Sequence, residues 1–245
     1  MSASQSALII GATGQTGRHV LQNLLASPHF TRVAEYGRRL TPKEDITVGA
    51  DKLEQKVIDF EKLQESGLSA GKWDVVFVTL GTSRANAGSA EAFEKIDREY
   101  VINAAKEARN PDPTVPQRLV YLSSTGANAN SPFLYPRSKG LTEQGLANIG
   151  YTDTIVFRPA YLAQTHRPER RFAEDILGRF TGILSYVSSS VEIPISKLGH
   201  AIFNAGRLGS EALPSAVHAT QEGKGDTKFT VINNAGALKL AEGKE

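Results

Sequence analysis

Residues Gly11-Ala12-Thr13-Gly14-Gln15-Thr16-Gly17 decide how this chain folds. An apolar run at 7–10 leads straight into them, and a helical pattern starts at Arg18. A strand-to-helix turn built from glycines lets backbone N–H groups approach a diphosphate, and the helix N-terminus adds its partial positive charge. Glycines at this GxxGxxG spacing can also do no more than let a strand and a helix pack tightly. Their position after the first strand, opening the first helix, favours the phosphate site.

Outward from that turn, short β-rich runs alternate with helical patterns. Strands are expected at 7–10, 32–36, 56–58, 74–79, 118–122 and 154–157. Helices are expected at 16–26, 90–109 and 138–148, the long one with Phe93, Ile96, Tyr100, Val101 and Ala104 on one side. Nearly continuous apolar strands between helices predict an α/β fold, a buried parallel sheet with helices on both faces. The stretch 39–56 reads as a charged surface connection, and 110–116, with three prolines, as a loop. After Arg158 the alternation decays, leaving a helix at 196–208 and a late strand at 228–232. The stretch 221–226 reads as a polar loop and 241–245 as a solvated tail.

The second strand ends in Gly37-Arg38-Arg39. Sites for NAD usually carry an acid there to accept from the ribose 2′-hydroxyl, whereas two guanidiniums suit a 2′-phosphate. The pair therefore points to NADP(H). Glu35 is the rival but lies inside the strand. Asp59, after the third strand, reads either as an acceptor from the adenine amine or as a helix N-cap.

Tyr135-Pro136-Arg137-Ser138-Lys139 sets a tyrosine and a lysine four residues apart at a helix start, on one face. A nearby ammonium favours the phenolate, so such a tyrosine can exchange a proton with a substrate oxygen. Upstream, Leu122-Ser123-Ser124 offers a hydroxyl that could steady a developing oxyanion. Each motif also has an ordinary reading, an exposed tyrosine beside a solvated lysine or serines in a turn. Their joint chain order is what carries weight.

The sequence resembles the short-chain dehydrogenase/reductase superfamily in its atypical, extended branch. It is similar above all to the Tat-interacting oxidoreductase-like proteins and their fungal relatives at the mitochondrial outer membrane. Gly11–Gly17, Gly37-Arg38-Arg39, 57–63, 80–84, 97–101, Leu122-Ser123-Ser124, Phe133-Leu134-Tyr135, Lys139-Gly140 and Phe157-Arg158-Pro159 carry the likeness, over about residues 6 to 205. It implies a Rossmann-type doubly wound parallel sheet, one domain over 1–245, with residues after about 160 forming a small substrate-side cap. Thr13, Gly14, Gln15 and Thr16 would line the diphosphate between Gly11 and Gly17, and Arg38 and Arg39 would hold the 2′-phosphate. Leu80 and Gly81 would pass the adenine ribose. Tyr135 would be proton donor and acceptor and Lys139 would hold the nicotinamide ribose. Leu162 would flank the nicotinamide, and Arg167 would reach the cofactor. Between the serines the resemblance selects Ser124. Asp97 departs from it, standing where many relatives carry an asparagine that binds a relay water.

Composition narrows the alternatives. The 245 residues are 40% hydrophobic and 22% charged, with net charge +2 and no cysteine. Thiolate metal sites, disulfide scaffolds and cysteine nucleophiles are excluded, and so small a charge offers no footprint for nucleic acid. The longest apolar run, 75–80, is too short to span a bilayer. The first charged residue is Arg18, so no Arg-rich presequence is expected. A cytoplasmic domain follows, with peripheral attachment at the mitochondrial outer membrane implied by the resemblance. The five histidines show no metal spacing. Arg167, Arg170, Arg171 and Arg179, interrupted by Glu169, Glu174 and Asp175, read as a solvated helix face or as a contact for an anionic substrate or membrane. The segment 180–186 reads as core, lid or partner-facing patch. Two functions compete: an NADPH-dependent carbonyl reductase or alcohol dehydrogenase acting on a small substrate, and a non-catalytic regulator ordered by NADPH.

Overall fold

In the computed structural model, which describes residues 4–163 and 192–243, the first strand, β1 (Gln5–Ile10), buries its last four residues completely. Alternate side chains of a strand point to opposite faces. Ala7 and Ile9 accordingly enter one apolar cluster and Leu8 and Ile10 the other. A strand buried on both faces belongs in the middle of a covered sheet. The order is β3-β2-β1-β4-β5-β6-β10-β9, with β2 at Phe30–Gly37, β3 at Leu53–Val57, β4 at Val75–Val78, β5 at Arg118–Leu122, β6 at Asp153–Arg158, β9 at Thr220–Glu222 and β10 at Phe229–Asn233. All pairings are parallel except β9 with β10. Helix α1 (Gly17–Ala26), the helix Ile195–Leu208 and the C-terminal helix Asn234–Glu242 cover one face; α4 (Tyr100–Ala108) and α5 (Leu134–Ala147) cover the other. This is the doubly wound Rossmann-type α/β sheet the sequence predicts.

The differences lie at edges and in one helix. The third strand begins at Leu53, inside the stretch read as irregular, because an edge strand shows charged side chains to water. The polar stretch from 221 contributes to β9, whose three residues are all exposed and carry no apolar signal. The tail is helical to Glu242, capped where Asn233 Oδ1 accepts the Gly236 N–H at 2.8 Å. A short parallel pair, β7 (Tyr161–Ala163) with β8 (Glu192–Pro194), was not expected. The long helix breaks into α3 (Ala90–Glu94), a π turn at Lys95–Glu99 and α4. Phe93, Val101 and Ala104 are buried as expected, but Ile96 and Tyr100 are only half-buried and Asp97 takes the inner position. Residues Arg167, Arg170, Arg171 and Arg179 and the segment 180–186 lie outside the described residues.

Candidate functional site

The glycine turn leaves β1 at Gly11, whose φ of +99° lies in the region glycine favours. Gly14 N–H donates to Gly11 O at 3.0 Å and Arg18 N–H to Gly14 O at 3.0 Å, closing the chain into α1. A Cβ at Gly17 would stand 2.1 Å from Gly11 O, and one at Gly11 2.6 Å from Leu80 N. These two glycines therefore serve close backbone packing. Gly14 and Thr13 are instead exposed. The N-terminus of α1 has no side-chain cap and no acid in its first turn, so its partial positive charge is left uncompensated by any side chain of that turn.

One cleft beside this turn is lined by Gly11, Thr13, Gly14, Gly37, Arg38, Arg39, Phe60, Thr79, Leu80 and Gly81. It lies at the C-terminal ends of β1, β2 and β4, where parallel sheets hold ligands. The expected Gly11, Thr13, Gly14, Arg38, Arg39, Leu80 and Gly81 thus meet. Gln15 is half-exposed in the same turn, while Thr16 and Gly17 are buried beneath it. Arg38 and Arg39 are exposed. Glu35 is turned away and buried: its carboxylate accepts from the Thr41 N–H, the Thr41 hydroxyl and the Gln55 amide, each at 2.8 Å. Asp59 does not line the cleft; its Oδ1 accepts the Glu61 N–H at 2.9 Å, a local turn. Sequence reasoning assigned no role to Phe60, whose ring stacks on Tyr100 at 5.2 Å. Its signal was an aromatic residue just past a strand's C-terminal end.

Gly81 joins this cleft to the tyrosine–lysine pair. A Cβ there would sit 3.1 Å from Asp97 Oδ1 and 3.6 Å from Lys139 Nζ. Lys139 is 4% exposed and donates to Asp97 Oδ1 and to the Tyr121 hydroxyl, both at 3.1 Å. Asp97 Oδ2 is also 3.1 Å from the ammonium, as an ion contact only. Burial by itself would push Lys139 down, but the Tyr121 oxygen and the Asp97 carboxylate outweigh it and hold the ammonium well above the usual lysine range. Tyr121, fully buried, is pushed up chiefly by burial. The Tyr135 ring, 36% exposed, packs against Phe93 and has Lys139 Nζ 6.0 Å from its centroid.

The serines separate cleanly. Ser123 Oγ donates to Glu143 Oε1 at 2.5 Å, whereas Ser124 Oγ is buried with no hydrogen-bond partner among the described residues. Glu143 in turn receives Arg158 through Nε at 3.0 Å and Nη2 at 2.6 Å, and Arg158 also reaches Glu222. Leu162 stands 37% exposed on β7, just beyond β6; Arg167 is outside the described residues. Among the described residues no cluster could hold a metal, and no helix is long and apolar enough to cross a membrane.

A nicotinamide dinucleotide fits these residues: an exposed turn at Thr13 and Gly14 for the diphosphate, a cleft without side-chain obstruction at Gly14 and Gly81, and exposed Arg38 and Arg39 at its rim. The sheet order with a glycine turn after its first strand defines the NAD(P)-binding Rossmann class. A family model described as NAD(P)H-binding matches residues 11–178. Protein fmp52 of Emericella nidulans, named mitochondrial, is 36% identical over 204 residues, covering 81% of this chain and 85% of its own length. HTATIP2 of Rattus norvegicus is 34% identical over 203 residues, with 82% and 81% covered. The chain belongs to the NAD(P)H-binding family, in the group of the HTATIP2 and Fmp52 proteins. Two solved structures share the fold. A nucleoside-diphosphate-sugar epimerase from Agrobacterium tumefaciens has TM-score 0.60 at 19% identity, covering 85% of this chain and 70% of that one. The short-chain dehydrogenase/reductase YIR035C from Saccharomyces cerevisiae has TM-score 0.59 at 16% identity, covering 83% and 90%.

Proposed function

We propose that this chain is an NADPH-dependent oxidoreductase acting on a small carbonyl or alcohol, built as one domain whose residues after about 160 complete the substrate side. The observation that carries it is the junction at Gly81, which brings the cleft of the glycine turn and the arginines to Lys139. Bound there, the cofactor would supply hydride to a carbonyl carbon. Backbone N–H groups at 13–16 would hold the diphosphate, with Arg38 and Arg39 on the 2′-phosphate. Lys139 would hold the nicotinamide ribose and Leu162 flank the ring. Tyr135 gives its hydroxyl proton to the substrate oxygen as the new C–H bond forms, and takes it back in the reverse direction. Ser124 Oγ, having no other partner among the described residues, donates to the same oxygen. The relatives' names support a mitochondrial location.

Tyr135→Phe tests this reading. Turnover of a carbonyl panel is expected to fall at least about 10²-fold, while NADPH affinity, measured by titration, stays within about twofold of wild type. A wild-type protein that binds NADPH but reduces no carbonyl would instead favour a non-catalytic, NADPH-ordered interaction protein.

A further inference from the structure

Among the described residues, Asp97 is the one fully buried acid in direct contact with the lysine of the tyrosine–lysine pair. It stands four residues from both Phe93 and Val101, on the buried face of the helix. The π turn Lys95–Glu99 widens the helix there, and such turns gather at functional sites. The carboxylate meets Lys139 through both oxygens at 3.1 Å, and the Thr82 N–H donates to Oδ1 at 3.2 Å. From β5 the Tyr121 hydroxyl accepts a second hydrogen bond from the ammonium. Other charged groups near this cluster face elsewhere. Arg98 pairs with Glu94 and Lys95 with Glu61, both toward solvent, and Glu143, one turn beyond Lys139, is bound to Arg158.

Lys139 is therefore asked to serve two anions: the permanent carboxylate of Asp97 and the transient phenolate of Tyr135. In a buried site a charge that is balanced at contact distance acts on a third group only as a dipole, and its field falls off faster than that of a bare cation. We propose that Asp97 sets the pH range in which Tyr135 exchanges its proton, by balancing the Lys139 ammonium and so reserving Tyr135 for proton donation. Asp97 acts through Lys139 and is a positioning and charge-setting residue, not a catalytic one. The inference rests on the reading of Tyr135 as the proton carrier.

Ultraviolet titration of tyrosine ionisation in the free protein tests it without cofactor or substrate. Subtracting the curve of Tyr135→Phe in the same background isolates the Tyr135 component. Asp97→Asn keeps an oxygen for Lys139 and for the Thr82 N–H while removing the charge. Its Tyr135 component should move about one to three pH units lower than in wild type. A component at the same pH, or higher, overturns the proposal. Asp97→Ser, which also removes the charge and leaves Lys139 in place, gives an independent reading should Asp97→Asn not fold. The same downward move of the Tyr135 component is expected, and an unmoved or raised component overturns the proposal. The outcomes also separate the two readings. A shifted titration with no carbonyl reduced leaves this inference standing and removes the hydride-transfer function; turnover with an unshifted titration removes the inference alone.

Discussion

Arg38 and Arg39 follow directly on β2, and their side chains stand in water at the rim of the cleft. An exposed pair of guanidiniums gains little for the fold, but against a doubly charged phosphate it can form charge-assisted bonds worth about 1.5–3 kcal/mol each. Arg38→Ala with Arg39→Ala should therefore weaken NADPH by about 10²-fold or more and NADH by less than about threefold, in binding titrations of both nucleotides. Equal losses would remove the 2′-phosphate assignment. At this scale the sequence was legible for the glycines, the arginines, Tyr135 and Lys139, because each announces itself by local spacing. It was not legible for the choice between Ser123 and Ser124, which depends on a glutamate 20 residues away.

Helix α5 carries Tyr135, Lys139 and Glu143 at intervals of four, and β6 delivers Arg158 against the last of them. Glu143 is 1% exposed, so its charge depends on that guanidinium. Breaking a buried pair from one side leaves the other charge uncompensated, at a cost of about 3–5 kcal/mol. Arg158→Met should destabilise the protein by about that amount in urea unfolding at neutral pH. An unchanged midpoint would show that the Ser123–Glu143–Arg158 chain does not hold β5 and α5 together. Element boundaries in the interior were readable from apolar periodicity. The edge strands β3 and β9 were not, since their outward side chains are those of a loop.

Across the whole molecule, the buried tyrosines set an alkaline limit. Tyr121 and Tyr151 are pushed up mainly by burial, and Tyr36, by burial and its hydrogen bond to Glu54, to about 12. Groups whose folded pKa lies above the unfolded value contribute fully below that unfolded value, about 10 for tyrosine, and lose the contribution as pH rises. The urea midpoint should therefore hold steady from neutral pH to about 9 and fall steeply above about 10. Tyr151→Phe, which gives up the 2.6 Å bond to Ala105 O, should lower the midpoint at pH 7 and shallow the alkaline fall.

What the sequence determined by itself was whatever rests on neighbours along the chain. That covers alternating strands and helices, the strand-to-helix glycine turn, the arginines after β2 and the four-residue step from Tyr135 to Lys139. Three features were decided only by the tertiary structure: the π turn around Asp97, its contact with a lysine 42 positions on, and the capture of Ser123 by Glu143 in place of Ser124. The physical reason is that short-range periodicity fixes which face of an element is apolar. Which polar groups share the dry space between elements follows from packing alone, where each buried donor or acceptor must find its partner across the fold.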